Sequence, residues 1–540
     1  MDQNRPGRPR VDPVLAGVLI ACAVLLFWGL GKRDLWQDEA ETAMLAKNIL
    51  RFKWPVVFDG VNLVSSEVGK DFGPDGLWRW SPWLQLYMAA GSMALFGIGT
   101  VAARLPFALL GLLCLPLTYA FALRSFDSKR VARLSALLLG LSVPFLLHCR
   151  QARWYSLAYL LTIGLFFSLF ELERSPRAAP VALALCAALL FHTNYLVAIG
   201  LLLALGLCVP ILRLGAPSLK RLVLALGASA VAIIPGIIFF DVLGKTGSFS
   251  AAHSAKMLEG YVGLFFTQLS PLPFVVLLAW ILLRKENPAG LEPPLKRRAV
   301  FLLACSGAYL LYLSLTPWLL FRYLTTLLPL CAVLLALTLD WAFSRNRALG
   351  GVLLILLLGS DVFHRIPLGA TDTLGARQLD AYAKIGPVSF PLAGLLHEIT
   401  HEFADCSQAI ARHLKEHAKP SDTVLITYGD APLQFYTGLK IVGAFQGRPL
   451  DDKPDWIVIR PDLIDKRPGR DVDVYRFILQ RIDASRYEKV PLACQDAMLG
   501  SCPEPLLHRF RLPAEGRAAT FLRRKSGPGS NTIKSVRNRS

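Results

Sequence analysis

The sequence predicts a polytopic α-helical membrane protein that carries a smaller soluble α/β domain towards its C-terminal end. Of its 540 residues, 54% are hydrophobic and only 18% are charged, and its mean hydropathy is +0.45. This composition is too apolar for an ordinary soluble protein. Apolar stretches long enough to cross a membrane recur up to about residue 364, and from about residue 365 the pattern becomes that of mixed helices and strands.

About eleven apolar stretches are predicted to cross the membrane. They lie at residues 12–30, 101–123, 131–148, 154–171, 179–191, 195–212, 222–241, 269–284, 298–316, 322–342 and 348–364. The first of them follows a basic segment, as in a signal peptide, but the many later stretches favour an uncleaved span. Residues 81–97 are also apolar, and the basic loop at 124–133 falls on the cytoplasmic side only if they do not cross. We therefore expect a juxtamembrane or re-entrant helix there.

This topology predicts a protein of the inner (plasma) membrane with a cytoplasmic N-terminus, because the other basic loops then also lie inside. The outward parts are residues 32–100, 150–153, 192–194, 242–268, the turn before Arg322, and everything after residue 364. The expected domains are a transmembrane domain at 1–364 with an outer loop at 32–100, an extracytoplasmic α/β domain at 365–522, and a disordered basic tail at 523–540.

Within the predicted α/β domain, helical spacing at 410–417 precedes three β-rich stretches at 423–428, 440–445 and 456–460. The net charge of +19 comes mainly from short loops and the tail, which argues against nucleic-acid binding. Most of the ten cysteines lie in apolar stretches, and only Cys494 and Cys502 are candidates for a disulfide.

The most informative polar residues are Asp38 and Glu39, which follow the first span by a few residues. Acids in the first turn of a helix are favoured by its dipole, and the helix predicted at 40–51 offers this plain interpretation. The functional interpretation is an acid pair at the membrane surface. Such a pair suits proton transfer on a substrate whose head is at the headgroup level while its tail stays in lipid.

Arginines on the outward side depart from the usual distribution of positive charge. Arg150 and Arg153 flank a turn before Trp154 and Tyr155, and Arg322 precedes Tyr323 at the start of a span. They serve either as anchors to lipid headgroups or as ligands of a phosphate, which guanidinium groups match with paired hydrogen bonds. Together with Arg79 they favour an anionic, lipid-linked substrate.

A polar break interrupts the apolar residues 179–212 at His192-Thr193-Asn194-Tyr195. Such a break is tolerated at membrane depth where it lines a cavity or meets protein. It is either a hydrogen-bonded hinge between two helices or the wall of a substrate pocket, to which Tyr155 and Tyr323 also contribute.

One further motif, His397-Glu398-Ile399-Thr400-His401, matches the pattern of zinc proteases, in which two histidines bind the metal and the glutamate acts as the base. No third ligand follows at a recognised spacing, although Glu402, Asp405 and His413 are near in sequence. A five-residue pattern with three fixed positions also arises by chance in a long chain. The motif is thus either a chance match or the metal site of a membrane zinc protease, which is the alternative function for the chain.

Several of these features together resemble the GT-C membrane glycosyltransferases, and within them the group of the protein O-mannosyltransferases and the lipid A aminoarabinose transferase. The resemblance covers roughly residues 12–364. It rests on Asp38-Glu39-Ala40, Phe96-Gly97, Ala103-Arg104-Leu105-Pro106, residues 150–155, residues 192–195, Arg322-Tyr323 and Pro329.

The resemblance implies transfer of a sugar, with inversion, from a polyprenyl-phosphate carrier to a lipid, glycan or protein acceptor on the outer side of the membrane. Asp38 would act on the acceptor hydroxyl with Glu39 as its companion, and Arg150, Arg153 and Arg322 would be candidates for the carrier phosphate. Many relatives have Lys-Pro-Pro where this chain has Trp80-Ser81-Pro82, so Arg79 or Lys70 would replace the usual lysine. Asn194 stands where a histidine is common.

The same resemblance leaves the cofactor open. Some relatives have an aspartate in the second outer loop, where this chain has Arg150-Gln151-Ala152-Arg153, so a divalent cation is an open expectation without an assigned ligand set. A transporter of lipid-linked sugars is the non-enzymatic alternative.

Overall fold

The computed structural model describes residues 12–245, 250–284, 291–365, 388–401, 405–461, 471–492, 505, 507 and 519–525. These residues form two compact units. The first unit comprises Met1–Leu30, Ser81–Glu402 and Gly500–Arg511, and the second comprises Gly31–Trp80, Phe403–Leu499 and Leu512–Ser540. The predicted division at residue 364 differs from this one. Residues 31–80 pack with the C-terminal sheet, whereas the helix that carries His397 packs with the apolar helices.

The first unit is a helical bundle. Its helices are α1 (Pro13–Phe27), α3 (Leu84–Phe96), α4 (Thr100–Phe126), α5 (Lys129–Gly140), α6 (Val143–Cys149), α7 (Tyr155–Phe170), α8 (Ala178–Thr193), α9 (Tyr195–Cys208), α10 (Ala216–Phe239), α11 (Ala251–Leu264), α12 (Leu272–Leu283), α13 (Pro293–Leu313), α14 (Phe321–Leu324), α15 (Leu328–Arg345), α16 (Arg347–Gly359) and α17 (Pro391–Thr400). Each of the eleven predicted apolar stretches overlaps at least one of these helices over most of its length, so their helical character is confirmed.

The membrane-crossing capacity of these helices can be judged by length and composition. In the described part of the chain, four helical segments are long and apolar enough to cross a membrane, or six if two bent pairs each count as one span. The bends are 61° between α5 and α6 and 94° between α11, with its π-helical extension Phe265–Leu269, and α12. Several other apolar helices, α3 at 81–97 among them, have only 10–17 residues. The count of about eleven spans therefore stays a prediction.

Two arginines of the first unit hold the end of α1, where the chain leaves towards residue 38. Arg150 donates from Nη1 to the carbonyls of Leu25 and Leu26, at 2.7 and 2.9 Å. Arg104, buried in α4, donates to the carbonyl of Leu30 at 2.9 Å. The last carbonyls of a helix lack partners within it, and cations near them also suit the negative end of the helix dipole. These contacts fix where α1 ends.

The second unit contains a five-stranded sheet in the order β2-β1-β3-β5-β4. Its strands are β1 (Thr423–Ile426), β2 (Lys440–Gly443), β3 (Trp456–Ile459), β4 (Tyr487–Lys489) and β5 (Thr520–Arg524). β1 pairs in parallel with β2 and β3, and β5 is antiparallel to β3 and β4. The three strand predictions are confirmed. The predicted disordered tail is wrong at its start, because Arg523 and Arg524 lie in β5 and Arg523 covers the Trp456 ring.

Helices cover both faces of this sheet. The helices of the second unit are α2 (Gln37–Phe52), α18 (Cys406–His417), α19 (Asp430–Thr437) and α20 (Asp471–Arg481). Because side chains alternate along a strand, Val424 and Ile426 face α18 and α19, while Leu425 faces the side that includes α20. The helical prediction at 410–417 is confirmed by α18. Cys494 and Cys502 lie outside the described residues.

Residues 31–80 are bound to the sheet by specific contacts. α2 packs against α19, and the side-chain amide of Asn62 donates to the Leu439 carbonyl at 2.8 Å and accepts from the Ile441 N–H at 2.9 Å. The Val68 N–H donates to the Phe445 carbonyl at 2.9 Å. The segment that carries the acid pair is therefore part of the α/β unit.

Candidate functional site

The acid pair lies in the first turn of α2, as the plain interpretation of the sequence predicts. Glu39 is fully buried, and its carboxylate accepts the backbone N–H of Trp36, the residue before the helix, at 3.4 Å. This contact satisfies one of the amide groups that a helix start leaves without a partner. Asp38 is only half-buried. The two acids thus differ in environment: Glu39 supports the helix start, and Asp38 is the more exposed of the two.

A buried polar group on the sheet side holds this helix start. The side-chain amide of Gln37 donates to one carboxylate oxygen of Asp430 at 2.8 Å, and Gln446 donates to the other oxygen at 2.8 Å. The Leu35 N–H donates to the hydroxyl of Tyr436 at 2.8 Å. Burial raises the pKa of the Asp430 carboxyl to about 6, although hydrogen bonds from Gln446 and Gln37 oppose that rise. Sequence reasoning missed Asp430 and Gln446, because a single buried acid has no local pattern.

Arg79 and Lys70, the predicted substitutes for a phosphate-binding lysine, belong to the same unit as Asp38. Arg79 forms an ion pair with Asp75 at 2.8 Å, with both side chains partly exposed. Lys70 is exposed. Asp71, which lies between them in sequence, is buried and accepts from the Ser65 hydroxyl at 2.7 Å. Burial raises the pKa of the Asp71 carboxyl, although hydrogen bonds to that carboxylate oppose the rise. Of the two cations, Lys70 is the more accessible.

The arginines at 150, 153 and 322 belong to the first unit, where packed rings bring their two turns together. The Trp154 and Tyr323 rings stack at 5.9 Å between centroids, and the His148 ring lies 4.7 Å from Tyr155 and 5.8 Å from Phe321. The side chains of Arg150, Arg153 and Arg322 are all half-buried. Arg150 is partly committed to the end of α1. The structure therefore places Arg153 and Arg322 on neighbouring turns of one cluster.

The break at residues 192–195 has the geometry of a hinge between α8 and α9. The Asn194 side chain accepts from the Val197 N–H at 3.1 Å and caps α9, and the His192 ring lies 3.1 Å from the Ala232 carbonyl. Tyr195 is buried, and the ammonium group of Lys245 lies 5.4 Å from the centre of its ring. Lys245 was missed, although it is a positive residue in a loop that the topology assigns to the outer side.

The zinc-protease motif lacks the arrangement of a metal site. α17 ends at Thr400, and the rings of His397 and His401 stack on each other with centroids 3.9 Å apart. The His401 Nδ1 lies 3.0 Å from the His397 carbonyl, and Glu398 is buried. Within the described ranges, no three His, Cys, Asp or Glu side chains are placed to share a metal ion, and Glu402 lies outside them. The described residues of this motif therefore do not fit a zinc site.

Comparison with solved structures shows which known proteins share this fold. No family model and no curated protein matches the chain. The structure of ArnT from Cupriavidus metallidurans bound to undecaprenyl phosphate is 16% identical, with a TM-score of 0.58, over 95% of this chain and 98% of that one. The apo state of ArnT from the same organism is also 16% identical, with a TM-score of 0.54, over 94% and 97% of the two chains.

These matches show a shared fold over nearly the full length of both chains. The apolar helices of the first unit and this likeness together indicate a multi-pass membrane protein. ArnT is a GT-C glycosyltransferase, and the resemblance predicted from the sequence is thereby confirmed as one of fold. The chain has the fold of the GT-C membrane glycosyltransferases.

Proposed function

We propose that the protein is a membrane glycosyltransferase that moves a sugar from a polyprenyl-phosphate carrier to a hydroxyl of a lipid, glycan or protein acceptor on the outer side of the inner membrane. The observation that carries the proposal is the fold shared with ArnT, which was solved with undecaprenyl phosphate bound. Asp38 also supports it, because this residue is half-buried while its neighbour Glu39 is fully buried and caps the helix.

Asp38 acts as the general base in this proposal. Its carboxylate takes the proton of the acceptor hydroxyl as the acceptor oxygen bonds to the anomeric carbon of the sugar. The bond between that carbon and the carrier phosphate oxygen breaks on the opposite face, so the configuration inverts. The electron pair leaves with the carrier phosphate.

Cations stabilise the negative charge on the departing carrier phosphate. Arg153 and Arg322 are the first candidates, because their turns are packed together by the Trp154 and Tyr323 rings. Lys245, beside Tyr195, and the exposed Lys70 are further candidates. A lysine contributes a mobile point charge, whereas an arginine binds two phosphate oxygens in a fixed geometry.

The test is turnover by the purified protein in detergent. Polyprenyl-phosphate sugars with a radiolabelled sugar are incubated with the protein and a membrane extract, and labelled products are separated from the donor. We expect transfer from at least one donor, and a loss of about 100-fold or more in Asp38→Asn. Turnover without a membrane gradient excludes a transport-only function.

Two variants serve as controls for this assay. Asp59→Asn alters an acid of the same segment whose carboxylate accepts from the Val61 and Asn62 N–H groups, at 2.8 and 2.7 Å, which an asparagine oxygen can still do. His401→Ala tests the zinc-protease alternative. Both should retain transfer within about twofold, since substitutions away from the reacting groups have small effects. Full transfer by Asp38→Asn would remove that residue as the base.

A further inference from the structure

The Gln37–Asp430–Gln446 group is isolated from solvent. The three residues are 5%, 1% and 1% exposed, and both carboxylate oxygens of Asp430 accept an amide N–H. Gln37 and Asp430 are 393 positions apart in sequence. A buried carboxylate is costly unless its hydrogen bonds are satisfied, and bonds to a charged acceptor are stronger than neutral ones. The position of Gln37 therefore depends on one side chain of the sheet domain.

Asp430 occupies a particular place in the fold. The sheet order puts β1 between β2 and β3, so the chain runs from β1 to β2 on one side and then to β3 on the other. Asp430 begins α19 directly after Gly429, at the carboxyl end of β1. Ligands of open α/β sheets usually bind at such a reversal of strand order. Here the carboxyl edge is used by Gln37, and also by Val68 through the Phe445 carbonyl.

Gln37 is the first residue of α2 and directly precedes Asp38. Successive side chains of an α-helix are rotated by about 100° around its axis. A side chain fixed at position 37, together with the Leu35 N–H fixed by the Tyr436 hydroxyl, therefore restricts how α2 can turn about its axis. The direction of the Asp38 carboxylate follows from that rotation.

We propose that Asp430 is a positioning residue: by holding the Gln37 side chain, it sets the rotation of the first turn of α2 and thus the direction of Asp38 during glycosyl transfer. This inference rests on the proposed function. Asp430 does not touch the substrate in this scheme. The α/β unit thereby contributes to catalysis by orienting the base.

The test reverses donor and acceptor across the contact. Gln37→Glu replaces the amide donor with a second carboxyl group, so that above the pH at which the two groups share a proton the bond is lost and like charges repel. Asp430→Asn in the same chain gives the introduced carboxylate a donor again, while the asparagine oxygen still accepts from Gln446. Gln480→Glu, the same change at an exposed position of this unit, is the matched control. Gln37→Met removes the donor without adding charge, in case the Gln37→Glu variant does not fold.

Two readouts are taken on the full-length protein in detergent. The first is hydrogen–deuterium exchange of a peptide that covers residues 37–52. The second is transfer from the radiolabelled polyprenyl-phosphate sugars, with kcat and the KM for the donor determined separately. We expect Gln37→Glu to speed exchange in α2 and lower kcat about 10- to 100-fold, because small misplacements of a reacting group have effects of this size. The KM should stay within about twofold.

The rescue decides the question. In the double variant, exchange should return to the wild-type pattern and kcat to within about threefold of wild type. Gln37→Met should show faster exchange and a smaller fall in kcat. Unchanged exchange and kcat in Gln37→Glu, or a double variant that folds without recovery, would overturn the inference. A wild-type protein that transfers from no donor would count against the proposed function instead, and the exchange data would still decide whether Asp430 holds α2.

Discussion

Arg150 and Gln37 each fix a helix end, but they do so through different kinds of partner. Arg150 donates to two backbone carbonyls of α1, whereas Gln37 depends on the carboxylate of Asp430, 393 positions away. Backbone carbonyls are present whatever the sequence, so the first contact survives any substitution of its partners that keeps the helix. The second contact fails when one side chain changes. The acid-bearing segment of the second unit is therefore more sensitive to distant mutations than the end of α1 is.

The comparison of the Arg150 and Gln37 regions depends on the predicted topology, which puts both regions on the outer side of the membrane. Single cysteines placed at exposed Lys70 of the second unit, exposed Lys256 of the first, and exposed Arg347 should react differently with a membrane-impermeant maleimide in intact cells. The predicted topology gives labelling at positions 70 and 256 and none at 347 until the cells are lysed. The eight described native cysteines are buried or half-buried, and the unsubstituted chain provides the background. Labelling of position 347 in intact cells would contradict the topology.

A second experiment separates a structural arginine from one that binds phosphate. Arg322→Met should lower kcat/KM about 100-fold, because one stabilising donor for the leaving phosphate is removed. Arg150→Met should lower the free energy of unfolding by about 1.5–3 kcal/mol, since two bonds from a charged donor to α1 are lost. Both are measured on purified protein by kinetics and thermal unfolding. Full activity in Arg322→Met would leave it only the role of a headgroup anchor.

The smallest effect concerns the pH dependence of stability. The pKa of Asp430 is about 6 in the folded chain, above its ordinary value of 3.8, so the folded state binds this proton more tightly than the unfolded state does. Its stabilising contribution is complete below about pH 4 and is lost as the pH rises through about 6. Asp430→Asn should remove that part of the decline, which for one group is at most about 1.4 kcal/mol per pH unit. Equal slopes for wild type and variant over this range would contradict the assignment.

Local patterns predicted most of the elements. The apolar stretches predicted the helices of the first unit, and the β-rich stretches predicted β1, β2 and β3. Both patterns are local, because hydrophobic burial and side-chain periodicity show within a few residues. The position of Asp38 at a helix start also follows from local sequence. The contacts between residues 31–80 and the sheet do not, since Asn62 and Val68 look like any loop residues. Composition likewise assigned the helix of His397 to the α/β domain, although Leu395 and Ile399 pack into the apolar bundle.

The roles of the polar residues were less predictable than their places. Asn194 and His192 stood out because they interrupt an apolar stretch, yet their described contacts are those of a capped hinge. Arg104 was part of the family resemblance, and the structure gives it a contact with the carbonyl that follows α1. A sequence shows that such residues are unusual for their surroundings. It does not show whether their partner is a backbone group or a substrate.

The second unit combines parts of the chain that are far apart in sequence, and this affects when it can fold during synthesis. Residues 31–80 leave the ribosome about 350 residues before the strands and helix that hold them. At a synthesis rate of about 5–20 residues per second, this early segment must wait roughly 20–70 s for its partners. During that interval Asn62 and Val68 lack the backbone partners at residues 439, 441 and 445 that hold the segment in the folded chain.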